Sequence, residues 1–213
     1  MHLPRPYLSY SQLRVWLDNK DAYRRQYYLG EPSHVSIYTV FGGKVAKGIE
    51  HGTISIPNLP LLPVKEKRML VHIEDVPFLG YLDQFDPGTF SFRETKTGIR
   101  KPDNSPRWRQ RDVEKHIQLD VYSLLIEEEF GQVDDLCHLD WLETRFKEDV
   151  VEWGGLPLVS KTNELELTGE VYSFKRTITP EERADMKQLI VKTANEISED
   201  YSSFLRNQAN NPA

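Results

Sequence analysis

The chain has 213 residues, 28% charged and 38% hydrophobic, with 27 Lys and Arg against 33 Asp and Glu for a formal net charge of −6. That length makes one ordinary domain able to bury a core. The acidic balance excludes a protein that coats nucleic acid without discrimination, while leaving room for an enzyme with a local basic strip. The single cysteine, Cys137, excludes a disulfide framework, a structural cysteine–zinc site and an iron–sulfur cluster.

The opening MHLPRPYLSYSQL has neither the apolar core of a signal peptide nor an Arg-rich transit helix. No apolar run approaches the length of a membrane span, so a protein of the cytoplasm, away from membranes, is expected. Ser9 and Gln12 fit a capping box, and Leu13, Trp16, Leu17 and the following tyrosines predict one amphipathic helix ended by Gly30-Glu31-Pro32-Ser33. A second helix is predicted over Val40 to His51. Its Gly42, Gly43, Ala46 and Gly48 are costly in a helix, at about 1 kcal/mol per glycine, and suggest close approach to a sheet or a ligand. Pro57 to Pro63 reads as a linker and Glu66 to Glu74 as a strand.

The stretch Phe78 to Lys96 then reads as a β-hairpin turning at Asp86-Pro87-Gly88. With Pro87-Gly88 as a two-residue loop, Asp83 falls opposite Phe92 and Tyr81 opposite Glu94. Asp83, Glu94 and Lys96 share a strand face. Asp83 and Glu94 are then diagonal neighbours, roughly 7–8 Å apart at the backbone, near enough to bridge one cation. Two hard carboxylates and a carbonyl suit Mg²⁺ or Mn²⁺.

The Pro-broken loop Gly98 to Arg111 follows. Between Arg93 and Lys115 there are eight bases against four acids. Arg100, Lys101, Arg107, Arg109 and Arg111, with Trp108 among them, are candidates for phosphate contacts and base stacking. Asp112 to Phe130 is predicted as an amphipathic helix presenting Gln118 and Tyr122 on one face. Leu136 to Phe146 reads as a strand and Leu165 to Ile178 as a hairpin around Thr168-Gly169. The last helix is capped by Thr179 and runs to about Leu205, followed by a frayed tail. The whole is read as a single domain, 1–213, with an N-terminal helical part (7–52), a core (64–150) and a C-terminal hairpin and helix (160–206).

In order, the chain offers a Gly-rich helix ending in Glu50, then GYLD with Asp83, ETK with Glu94 and Lys96, and QLDVY with Gln118 and Tyr122. This resembles the RecB-like, phage-type exonuclease branch of the PD-(D/E)xK nuclease superfamily, as do the opening LSYSQLRVW and the closing hairpin and Thr-Pro-Glu-Glu helix. Two positions depart from that pattern. Ala46 stands where many relatives have a metal-binding His, leaving Glu50 to take the place, and Asn19-Lys20 stand where cluster-bearing relatives have Cys-Pro. The resemblance implies a restriction-endonuclease-like α/β core, a central mixed β-sheet flanked by α-helices. It further implies hydrolysis of DNA with one or two Mg²⁺ held by Asp83, Glu94, the Thr95 carbonyl and Glu50, directly or through water. Lys96 would orient the attacking water, and Gln118 and Tyr122 would hold Lys96 or DNA. The implied setting is DNA recombination or repair in a bacterial or phage-infected cell, beside a recombination or replication protein. The competing readings are a structure-selective endonuclease of the same fold and a non-catalytic binding module derived from a nuclease.

Overall fold

The computed structural model describes residues 1–33, 35–153 and 156–210. In chain order these form β1 (Leu8–Ser9), α1 (Tyr10–Asp18), α2 (Lys20–Tyr27), α3 (Ile37–Glu50), β2 (Val64–Ile73), β3 (Val76–Asp86), β4 (Ser91–Ile99), α4 (Gln110–Val113), α5 (Ile117–Phe130), β5 (Leu136–Trp153), β6 (Leu156–Thr177) and α6 (Pro180–Asn210). The strands make one mixed six-stranded sheet in the order β1-β3-β4-β5-β6, with β2 also on β3. The β1–β3 and β4–β5 pairs are parallel and the rest antiparallel. This is the expected α/β core. Among the described residues no helix is long and apolar enough to cross a membrane.

Several elements differ from the expectation, each for a local reason. The first helix is two. Asn19 adopts an extended conformation (φ −161°, ψ 101°) and its Oδ1 accepts the Ala22 N–H at 3.0 Å, capping α2 at the point where α1 ends. The helix expected from Asp112 is the short α4 followed by α5. Rather than being amphipathic, α5 is buried continuously from Gln118 to Ile126. Its one buried acid, Asp120, is neutralised from outside by Arg176 of β6. Thr168-Gly169 do not turn the chain. They form a bulge within β6, where the pairing with β5 shifts between Leu142 and Thr144, and Gly169 supplies the positive φ of 90°. The last helix is capped by Thr179, as the sequence implied, and Glu182 in turn accepts the Thr179 N–H; the helix continues to Asn210, and residues 211–213 of the expected tail lie outside the described residues.

The register of the β3–β4 hairpin also differs. The pairs are Asp86↔Ser91, Phe85↔Phe92 and Gln84↔Arg93, so the loop has four residues, Pro87 to Phe90, and Phe90 takes a positive φ of 56°. Continued by one step, this register sets Asp83 level with Glu94 instead of Phe92. It is not continued. Beyond Arg93, β4 leaves β3 and pairs with β5 from Arg93↔His138 to Ile99↔Thr144. Since β2 lies along one edge of β3 from Val76 to Phe85, β1 and β4 share the other. Gly80 to Asp83 are left between them without a ladder partner on that edge.

One large core, including Trp16, Tyr23, Phe78, Phe85, Phe92 and Trp141, joins both faces of the sheet to α1, α2, α5 and α6. A small second cluster of Val45, Ile49, Leu59 and Leu142 seats α3. The open side of β3 rests on α5 at Gly80, where an added Cβ would lie 2.5 Å from Leu125 Cδ1. Leu125 is fully buried, so its side chain must repack among core neighbours to make room. We therefore expect Gly80→Ala to lose about 1–3 kcal/mol by overpacking. In denaturant titrations the double variant with Leu125→Ala should lose less than the sum of the two single losses, because the second change removes the clash.

Candidate active site

The parting of β3 and β4 opens a cavity of about 400 Å³. Asp83, Glu94, Thr95 and Lys96 line it from the two strands, Gln118 and Tyr122 from α5, and Glu50 from the end of α3. The structure thus brings together Asp83, Glu94, Thr95 and Lys96 of the hairpin, Glu50 of the Gly-rich helix, and Gln118 and Tyr122 of the QxxxY segment. Asp83 Oδ2 accepts the Thr95 N–H at 2.7 Å, a side chain taking over where the ladder stops. Lys96 Nζ donates to Glu94 Oε1 at 2.5 Å and to Gln118 Oε1 at 2.7 Å, and Gln118 Nε2 donates to the Tyr122 hydroxyl at 2.8 Å. The lysine is held at a fixed position by a relay whose far end lies in the buried helix.

Glu94 is almost wholly buried, and its Oε2 has no hydrogen-bond partner among the described residues. Burial, and then the charge of Asp83, push its carboxyl up to about 8, against the pull of Lys96. Burial also raises Asp83, opposed by Lys96 and the Thr95 N–H. Burial pulls Lys96 down, but Glu94 and Asp83 outweigh it and hold the ammonium above its usual value, so it stays charged. Burial, and next Glu94, raise the Tyr122 hydroxyl, which stays protonated.

One acid was missed by the sequence. Glu66 of β2 lines the same cavity, half-buried, at a positive φ of 50°. Burial, then Asp83 and Glu50, raise its carboxyl. No motif marks it: a Lys-Glu-Lys-Arg run at a strand start looks like solvated charge. Four carboxylates therefore surround the cavity. Even so, no group of three or more His, Cys, Asp or Glu side chains lies within joint reach of one ion among the described residues. The donor set is oxygen only, and a buried, unpartnered carboxylate oxygen beside a second carboxylate fits a hard divalent cation.

The basic strip lies outside the cavity lining. Arg100 is engaged internally, 2.8 Å from Glu143 and 2.8 Å from the Tyr172 hydroxyl. Trp108 packs against the main core and stands edge-on to His116, with ring centroids 4.9 Å apart. The Arg109 backbone N–H, at the start of α4, donates to Asp112. Lys101 is half-buried, and Arg107 and Arg111 are exposed.

No protein-family model matches the sequence, and no curated protein matches it. Solved structures do. A phage-related exonuclease from Haemophilus somnus 129PT superposes with a TM-score of 0.54 at 15% identity, covering 92% of this chain and 82% of the other. LHK-Exo, an alkaline exonuclease from Laribacter hongkongensis, superposes in its complex with dAMP with a TM-score of 0.51 at 12% identity, covering 96% and 94%. The fold is the one these exonucleases share. At such identities the likeness extends to the restriction-endonuclease-like architecture and not to individual residues.

The raised carboxyl of Glu94 has a consequence for the metal-free protein. An acid whose value climbs from an ordinary 4.5 to about 8 on folding binds its proton more tightly in the folded state. Its contribution to stability is complete below about pH 4.5 and is lost as the pH rises through 8. In EDTA, Glu94→Gln should therefore raise the melting temperature relative to wild type more at pH 8 than at pH 5. An equal gain at both values would contradict this.

Proposed function

We propose that this chain is a divalent-metal-dependent deoxyribonuclease that removes nucleotides from DNA ends. The observation that carries the proposal is the orphaned, buried Glu94 Oε2 next to Asp83, in the same cavity as a lysine fixed by Gln118 and Tyr122. The likeness in fold to a phage-related exonuclease, and to an alkaline exonuclease complexed with dAMP, supports it.

Asp83 and Glu94 would hold Mg²⁺ or Mn²⁺, with the Thr95 carbonyl as a further ligand and Glu50 acting through water. When bound, the cation would offset charge on the phosphodiester and lower the pKa of a water. Lys96, charged and aimed by Gln118, positions the attacking water and offsets negative charge developing on the phosphate. Tyr122 keeps Gln118 in the orientation that presents its oxygen to Lys96. The exposed Arg107 and Arg111, with Lys101 and Arg109, attract the phosphates of the approaching DNA. The setting is DNA processing in recombination or repair, beside a recombination or replication protein, in the cytoplasm of a bacterial or phage-infected cell.

End-labelled linear DNA should be degraded with Mg²⁺ or Mn²⁺ and not in excess EDTA, and closed circles should be spared. Lys96→Ala should lower kcat by about a hundredfold or more while calorimetric Mg²⁺ binding persists, since lysine is not a metal ligand. Cleavage in EDTA, or a Lys96→Ala protein of normal turnover, would overturn the proposal.

The strip makes a separate prediction. Replacing Arg107 and Arg111 with alanine should flatten the dependence of log affinity on log salt by about two, for two lost phosphate contacts. Both residues are exposed, so melting should not change. An unaltered slope would make the loop a solvated connection.

A further inference from the structure

The cavity has a rim and a wall that metal binding and proton transfer leave unused. Tyr81 lines it, two residues before Asp83 on β3, with 46% of its surface exposed. Its cross-strand neighbour on β2 is Arg68, which is exposed and makes no ion pair among the described residues. A large, half-exposed aromatic and an uncommitted guanidinium thus sit side by side at the mouth of an acidic cavity. Trp108, the aromatic embedded in the basic strip, packs against His116 and the core instead. Another wall is the small-residue face of α3, where Thr39, Gly42, Gly43 and Ala46 reach the cavity. A Cβ added at Gly43 would meet nothing within 4 Å, so the space beside the helix is open.

The geometry points to a slot for one unpaired nucleotide: its base stacks on Tyr81, its sugar passes the open face of α3 at Gly43, and Arg68 takes the neighbouring phosphate. This inference rests on the nuclease reading and narrows it. A cavity of about 400 Å³ is at the small end of ligand sites. A single nucleotide fits within it, so a single-stranded or frayed end is the form expected to reach Asp83 and Glu94 most readily. An aromatic ring stacks on any base, because every base has a π-face, and the slot is therefore indifferent to sequence. Arg68 also offsets the repulsion between the incoming strand and the four carboxylates.

The test uses a short single-stranded oligonucleotide carrying 2-aminopurine at each terminus in turn, a base whose emission falls on stacking. Binding is read with Mg²⁺ in Lys96→Ala protein, which leaves the strand intact, and cleavage in the protein with Lys96 present. Emission should fall on binding for one terminus. Tyr81→Ala should abolish that change and raise KM about tenfold, the size of one base–aromatic stack, with kcat less affected. Tyr81→Phe should restore both. A terminal abasic nucleotide should raise KM in wild type by a similar factor and no further in Tyr81→Ala, since the base and the ring would be one interaction. Gly43→Leu should weaken binding without lowering the melting temperature, by filling the open space. If the wild type cuts DNA but neither the abasic end nor Tyr81→Ala changes KM, the slot is wrong and the nuclease reading stands. If the oligonucleotide binds with Tyr81-dependent quenching but is never cut, the slot stands and the nuclease reading falls. Absence of both binding and cleavage refutes both.

Discussion

Beyond the Gln84↔Arg93 pair, β4 stops belonging to β3 and belongs to β5, and the cavity exists because of that exchange. A hairpin that stayed zipped would cover Asp83 and Glu94 with its own ladder. Seven parallel pairs with β5 hold β4 in its new place, and the buried Arg93–Asp140 pair locks the branch point. Two hydrogen bonds of 2.7 Å join the guanidinium to the carboxylate, which also accepts from Ser173. Removing either partner would leave an uncompensated charge in the core, so the branch point resists change far more than its small size suggests. The Asp83–Thr95 contact is the remnant of the ladder, one side chain spanning the gap. Glu94, one residue past Arg93, is consequently held in a dry place with one oxygen unanswered.

The residues that meet at the cavity were legible because they are written locally. A turn signal, alternating strand faces and a helical spacing of four place Asp83, Glu94, Lys96, Gln118 and Tyr122, and these do not depend on distant packing. Even within the hairpin, though, the register was misjudged by two residues. Whether Phe90 takes a positive φ is decided by its packing against Phe85 and Phe130, and no dipeptide rule reports that. The break at Asn19 was foreseeable in kind, since asparagine caps helices, but periodicity across it looked continuous.

What stayed hidden was long-range. Arg93 and Asp140 are 47 residues apart, and Asp120 and Arg176 are 56 apart. Without the second pair, α5 reads as a helix with a polar face rather than one enclosed on all sides. Glu66 looked like a surface acid because only the fold turns it toward Asp83. The Thr168-Gly169 bulge looked like a turn because glycine at positive φ serves both purposes, and the choice lies with the partner strand. The strip around Arg100 and Trp108 was legible as composition but not as exposure, since a sequence does not show which of its cations are already engaged.

The two helices beside the cavity are seated differently. α5 is embedded in the main core from Gln118 to Ile126, whereas α3 stands on a small cluster in which Val45, Ile49, Leu59 and Leu142 are buried. Local opening follows the amount of apolar surface that must be exposed, so α3 can lift away at a fraction of the global unfolding free energy while α5 stays put. Rigidity is thereby concentrated on the side that aims Lys96, and compliance on the side that sets the cavity's width. Substitutions at Val45, Ile49 or Leu59 can therefore alter the cavity's width, and the placement of Glu50 with it, without moving Lys96 and Gln118. Breadth and aim are in that sense separately heritable in this chain.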